Sequence, residues 1–132
     1  TKDRFPFIAD AWKPRLHAYV GGIIKNLNAV PLGVGGMADH LHILTGLTTG
    51  HRVDYFVRDV KSDSSIFVRR GFESKFSWQK GYGIFTVSPS AVEDVREYIL
   101  NQEAHHAKRT FQEEYVELLI RSGTAYDEKY LW

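Results

Sequence analysis

Cysteine is absent from this chain, which excludes a disulfide framework and any thiolate-held metal and fits a reducing cytoplasm. No apolar run approaches the roughly 20 residues that a membrane-spanning helix needs. The opening "TKDRFPFIAD" lacks the apolar core of a secretory leader. Proline is scarce, and Pro14 sits where only a first helical turn tolerates it, so a helix is expected to begin near Lys13. Neither sign of charge dominates: 17 Lys and Arg stand against 16 Asp and Glu, so net charge does not mark a nucleic-acid binder. Repeats, low-complexity tracts and an interdomain linker are missing, and 132 residues read as a single domain, 1–132. The glycines of "GVGG" lack the lysine and the following helix of a phosphate-binding loop, which excludes a nucleotide cofactor.

Hydrophobic periodicity supplies the elements. Trp12, Leu16, Tyr19, Val20, Ile23 and Ile24 recur at helical steps, followed by a β-like "NAVPLGVGGM", a turn at Met37-Ala38-Asp39 and a strand in "HLHILTGL". Val53, Phe56, Val57, Val60, Ile66 and Phe67 predict a helix from about Arg52 to Arg69. A third strand is expected over Tyr82 to Val87. Ser90 and Glu93 have capping-box spacing and open a helix through Val95, Tyr98, Ile99 and Gln102; Thr110 and Glu113 repeat the signal for a last helix. With one more strand ahead of Thr1, the order would complete the ferredoxin-like pattern, an α+β fold with an antiparallel sheet and helices on one face.

His40 and His42 are the first chemical signal. Side chains at i and i+2 of a strand share a face, so the two imidazoles project together. Six histidines in 132 residues give about 0.3 such pairs by chance, and two packed or surface histidines remain the plain alternative to a metal site. Imidazoles suit Zn, Mn or Fe but need further ligands. Asp39 would point to the other face of a regular strand and is not counted among them. Tyr98 and Gln102, four residues apart, share one helix face. Tyrosine can act as a covalent nucleophile, and an amide oxygen can complete the shell of a hard cation. A phenol titrates near 10 in water, so attack on a phosphodiester at neutral pH calls for an adjacent divalent ion. His105 and His106 continue that side, either as helix-end polarity or as further ligation.

Charge is unevenly placed. Residues 58–80 carry six Lys and Arg against three acids, while residues 90–120 carry seven acids against three bases. Lys61, Arg69, Arg70 and Lys80 are therefore candidates for phosphate contact. Phe76, Trp78 and Phe85 suit core packing, with base stacking as the alternative.

The strings "TKDRFPFI", "GGMADHLHIL", "KSDSSIFV", "FSWQKGYGIFTVSPS", "YILNQEAHHAKRTFQEEY" and "YDEKYLW" carry a resemblance over the whole chain. It resembles the single-tyrosine transposases of the HUH superfamily (histidine, hydrophobic residue, histidine), of the insertion-sequence 200/605 type and its repeat-hairpin-associated relatives. The resemblance implies His40, His42 and Gln102 as ligands of Mg²⁺ or Mn²⁺, and Tyr98 as the nucleophile joined to a DNA 5′ phosphate. It further implies a homodimer at the nucleoid that recognises single-stranded DNA with hairpin ends, and a first strand upstream of Thr1. Two other readings stay open: a domesticated nuclease of repeat hairpins, and a nucleic-acid-binding or dimerising module without chemistry.

Overall fold

Pro14 stands at the second position of the first helix, where its missing N–H falls among donors that an opening turn leaves unbonded. That helix, α1 (Lys13–Asn26), is closed off by Asn28 two residues on, whose φ of 61° lets the Ala29 N–H return to the Ile24 carbonyl at 3.1 Å. The computed structural model describes residues 1–107 and 109–127, with the backbone alone at His105 and Phe111. After α1 come β1 (Val30–Met37), β2 (His40–Gly46), α2 (Val53–Gly71), α3 (Val92–Leu100), α4 (Gln102–His106) and α5 (Phe111–Arg121), with short 3-10 turns at Lys2–Arg4 and Pro89–Ala91. The chain is α+β, a two-stranded antiparallel sheet with helices, consistent with part of a ferredoxin-like sheet.

The hairpin turns at Ala38 and Asp39, pairing Met37 with His40 and Gly35 with His42. Alternation then sorts its two faces. Val34, Leu41 and Ile43 pack against the core made by Leu16, Val20, Ile23 and Ile24 of α1, Phe56, Val60 and Val68 of α2, and Ile8, Trp12 and Phe76. Each such fully buried side chain stabilises the fold by about 1.5–3 kcal/mol relative to exposure. Gly33, Gly35, His40 and His42 take the other face, against which α3 lies. Helices on one face therefore describe α1 and α2 only. Gly35 is what admits α3: a Cβ there would overlap the Ile99 carbonyl oxygen and lie 3.1 Å from the Ile99 side chain.

Three local expectations are corrected. Residues 82–87 form no strand, and among the described residues the sheet has two strands only. Gly81 and Gly83 offer no side chains to pack, Tyr82 and Ile84 are exposed, and Lys61 holds the preceding carbonyls from another direction. The capping box at Ser90 does not form: Ala91 is the N-cap of α3, and Ser90 Oγ pairs with Ser88 Oγ at 3.2 Å instead. Pro89 has already begun a 3-10 turn, which takes Ser90 out of the N-cap geometry. The helix also breaks at Asn101, so Tyr98 and Gln102 fall on either side of a joint. The box at Thr110 does form, with the Glu113 N–H donating to Thr110 Oγ1 at 3.3 Å and the Thr110 N–H to Glu113 Oε2 at 2.9 Å.

Of the aromatic candidates, Phe76 is 1% exposed and Trp78 packs edge-on against it, centroids 4.8 Å apart. The Trp78 indole N–H donates to buried Ser64 Oγ at 2.9 Å, while Ser64 donates to the Val60 carbonyl at 2.6 Å. Phe85 is half-buried. Phe76 and Trp78 thus serve packing.

Candidate metal and nucleophile site

β2 presents His40 and His42 on one face with ring centroids 5.1 Å apart, and α3 and α4 bring Tyr98 and Gln102 over them. The Tyr98 ring meets His42 edge-on at 5.9 Å. Gln102 is 2% exposed; its amide N–H donates to the Tyr98 carbonyl at 3.1 Å. A carbonyl only accepts, so this bond fixes which way the amide faces and turns Oε1 toward His40 Nε2, 3.1 Å away. The joint at Asn101 therefore keeps the pair together: the side chain bridges back across it.

On the far side of His40, Nδ1 lies 2.7 Å from Asp39 Oδ1, while Arg4 reaches Asp39 Oδ2 at 2.7 Å. Burial works against the Asp39 charge, yet the His40 hydrogen bond and the Arg4 guanidinium outweigh it and hold the carboxyl well below its usual range. An ionised Asp39 accepts the Nδ1 proton and leaves the His40 Nε2 lone pair facing the Gln102 oxygen lone pair. Two acceptors in contact are satisfied by a cation, or a proton, shared between them. Asp39 thus contacts His40 on the side away from Gln102 and orients its imidazole.

Glu114, which no periodicity marked, and His106, which the helical step left between helix-end polarity and further ligation, enter the same cluster. Glu114 of α5 places Oε1 3.1 Å from His42 Nε2 and Oε2 3.1 Å from His106 Nε2. His106 Nε2 also lies 3.2 Å from Gln102 Oε1. The available signal for His106 was its four-residue step beyond Gln102. For Glu114 there was none, since 72 residues separate it from His42. His105, read with His106 from the sequence, has a side chain that lies outside the described residues. As the side chains stand, no three His, Cys, Asp or Glu residues among the described ones are spaced to hold an ion, so binding one requires the set to draw inward around Gln102. The donor chemistry suits it: imidazole nitrogen with amide and carboxylate oxygen fits Mn²⁺ or Mg²⁺ better than softer metals.

The other described histidines are structural. His51 accepts from the Thr48 N–H at 2.9 Å and donates to the Leu27 carbonyl at 2.6 Å. Burial, then the charge of Lys13, pushes the His17 pKa down. Lys13 itself ties α1 to α4 through Glu103 at 2.8 Å.

Beside the site, Arg4, Met37, Asp39, His106, Thr110 and Gln112 line much of an open groove of about 480 Å³. The basic candidates lie elsewhere, where Lys61, Arg69, Lys80 and Trp78 border a shallow cleft. Arg69, Arg70 and Lys80 are exposed. Lys61 is committed to the carbonyls of Gln79, Lys80 and Gly81 at 2.7, 3.2 and 2.9 Å, and burial lowers its pKa. No helix among the described residues is long and apolar enough to cross a membrane.

Comparison with known proteins gives this arrangement a context. No curated protein matches. A crystal structure of a candidate transposase from Deinococcus radiodurans R1, at 1.90 Å resolution, superposes with a TM-score of 0.63 at 26% identity, covering 77% of this chain and 84% of that one. The family model for IS200-like transposases matches residues 1–102, the span that runs from the amino terminus through β2 to Gln102. The chain belongs to the IS200-like transposase family.

Proposed function

We propose that this transposase cuts and rejoins single-stranded DNA beside hairpins through a covalent 5′-phosphotyrosine at Tyr98. His40, His42 and Gln102 would hold Mg²⁺ or Mn²⁺, in a protein acting as a homodimer. The carrying observation is the convergence of His40 Nε2 and Gln102 Oε1 at 3.1 Å, with Tyr98 beside His42. When bound, the ion supplies Lewis-acid polarisation of the phosphoryl oxygen. Tyr98 Oη gives up its proton and attacks phosphorus; the O3′–P bond breaks, and the departing oxygen takes a proton to leave a 3′ hydroxyl. The new phosphotyrosine bond conserves the energy of the broken one for rejoining. Asp39 and Arg4 keep His40 in the tautomer that offers Nε2. Tyr98 and Gln102 stand over the histidines of their own chain.

The test uses 3′-labelled single-stranded DNA carrying a hairpin from the flanks of the gene, incubated with Mg²⁺ or with Mn²⁺ and resolved under denaturing conditions. A covalent protein–DNA band that chelation abolishes is expected. Tight hairpin binding with no band under either ion would leave a binding module instead.

The basic cleft separates two roles for lysine and arginine. Arg69→Ala is expected to weaken DNA binding and reduce the dependence of log Kd on log salt by about one unit, as for a lost phosphate contact. Lys61→Met is expected to leave that slope unchanged and to open residues 79–83 to proteolysis, because its ammonium is spent on their carbonyls. Matching slopes for both variants would put Lys61 on the DNA.

A further inference from the structure

Glu114 lies outside the residues that the family model matches, on a helix that begins only at Phe111. It is nevertheless 6% exposed, and its ion pairs among the described residues are both with imidazoles, His42 and His106. A carboxylate buried this deeply needs charge or strong hydrogen bonds around it. We propose that the Glu114 carboxylate is a further, anionic ligand of the divalent ion, so that α5 closes the metal site. The proposal rests on the reading that His40, His42 and Gln102 hold that ion.

Three features support it. First, the two histidines of β2 are matched in the same way: His40 Nε2 faces Gln102 Oε1 and His42 Nε2 faces Glu114 Oε1, each at 3.1 Å. Ligands about 2.1 Å from an octahedral ion sit about 3.0 Å from their neighbours, so each pair has the separation of one edge of such a shell, and the pairs share one centre once the set draws inward. Second, His106 Nε2 lies 3.2 Å from Gln102 Oε1 and 3.1 Å from Glu114 Oε2, so one imidazole positions both oxygens. Third, charge favours it. Two imidazoles and an amide leave both positive charges of the ion uncompensated, and a hard cation prefers anionic oxygen. The Thr110–Glu113 capping box fixes where α5 begins, just ahead of Glu114, and Leu119 further along the helix is buried.

The test is Mn²⁺ affinity, read by calorimetry and by the free-ion electron paramagnetic resonance signal, without DNA. Wild type, Glu114→Gln and the double variant His40→Ala/His42→Ala are compared, each checked for an unchanged circular dichroism spectrum. Glu114→Gln is expected to weaken Mn²⁺ at least about tenfold, and the double variant to abolish binding. Unchanged or tighter binding by Glu114→Gln, with loss only in the double variant, overturns the proposal and leaves the histidine–glutamine reading standing. No Mn²⁺ binding by the wild type overturns both. A second readout needs no variant: Mg²⁺ added to ¹³C-labelled wild type should shift the Glu114 carboxyl resonance at the same stoichiometry as the His42 ring. A His42 shift without one from Glu114 overturns the proposal.

Discussion

Tyr98→Phe is expected to eliminate the covalent protein–DNA product, a loss of at least about 10³-fold of the kind that follows removal of a nucleophile. The substitution deletes one oxygen and leaves the ring against His42. It also spares the metal ligands, because Gln102 is anchored on the Tyr98 backbone carbonyl rather than its hydroxyl. Mn²⁺ affinity should therefore stay within about twofold. Binding of hairpin DNA should survive as well. This pattern, chemistry lost with both bindings kept, distinguishes a nucleophile from a residue that merely supports the site. An adduct that persists in Tyr98→Phe would move the nucleophile to another tyrosine, and peptide mapping of the adduct would identify it.

Gly35→Ala should disable the same site from a position with no chemistry of its own. The added methyl meets the Ile99 carbonyl oxygen, and because that neighbour is backbone, no side-chain rotation relieves the clash. α3 must lift from β1, taking Tyr98 and Gln102 away from His40 and His42. Overpacking of this sort costs about 1–3 kcal/mol, enough to lower the melting midpoint by several degrees. The larger effect is on geometry: covalent product should fall about 10²-fold or more, as for reacting groups displaced by about 1 Å. Mn²⁺ affinity should fall with it, since the Gln102 oxygen leaves His40. Gly21→Ala is the control. No atom within 4 Å obstructs a Cβ there, and in the interior of α1 it should be neutral or stabilising by up to about 1 kcal/mol. If Gly35→Ala kept full metal affinity and full product, the tyrosine helix would not work from this seat, as when it serves a partner's histidines.

Part of this site was legible locally. The His40–His42 pair shares a face because strands repeat every two residues; the helical repeat also put Tyr98 beside Gln102, but the helix breaks between them and it is the Gln102 amide on the Tyr98 carbonyl that keeps them together. α1, α2, the hairpin turn and the Thr110 capping box are likewise products of short-range pattern. Residues 82–87 show the limit of such patterns. Their β-branched and aromatic character reads as a strand, yet a strand exists only with a partner edge, and here Lys61 holds the neighbouring carbonyls instead. Lys61 was a phosphate candidate by charge, and only its three carbonyl contacts reveal where its ammonium is spent.

The amino-acid sequence by itself pointed to the four residues of the proposed chemistry: strand alternation paired His40 with His42, and the family resemblance named Tyr98 and Gln102, which lie on two helices joined by the Gln102 side chain. The tertiary structure alone decided that the pairs meet, through a glycine that lets α3 touch β1, and that Glu114 arrives from 72 residues beyond His42. Contacts at that separation leave no period in a sequence; they exist only once the intervening helices have packed.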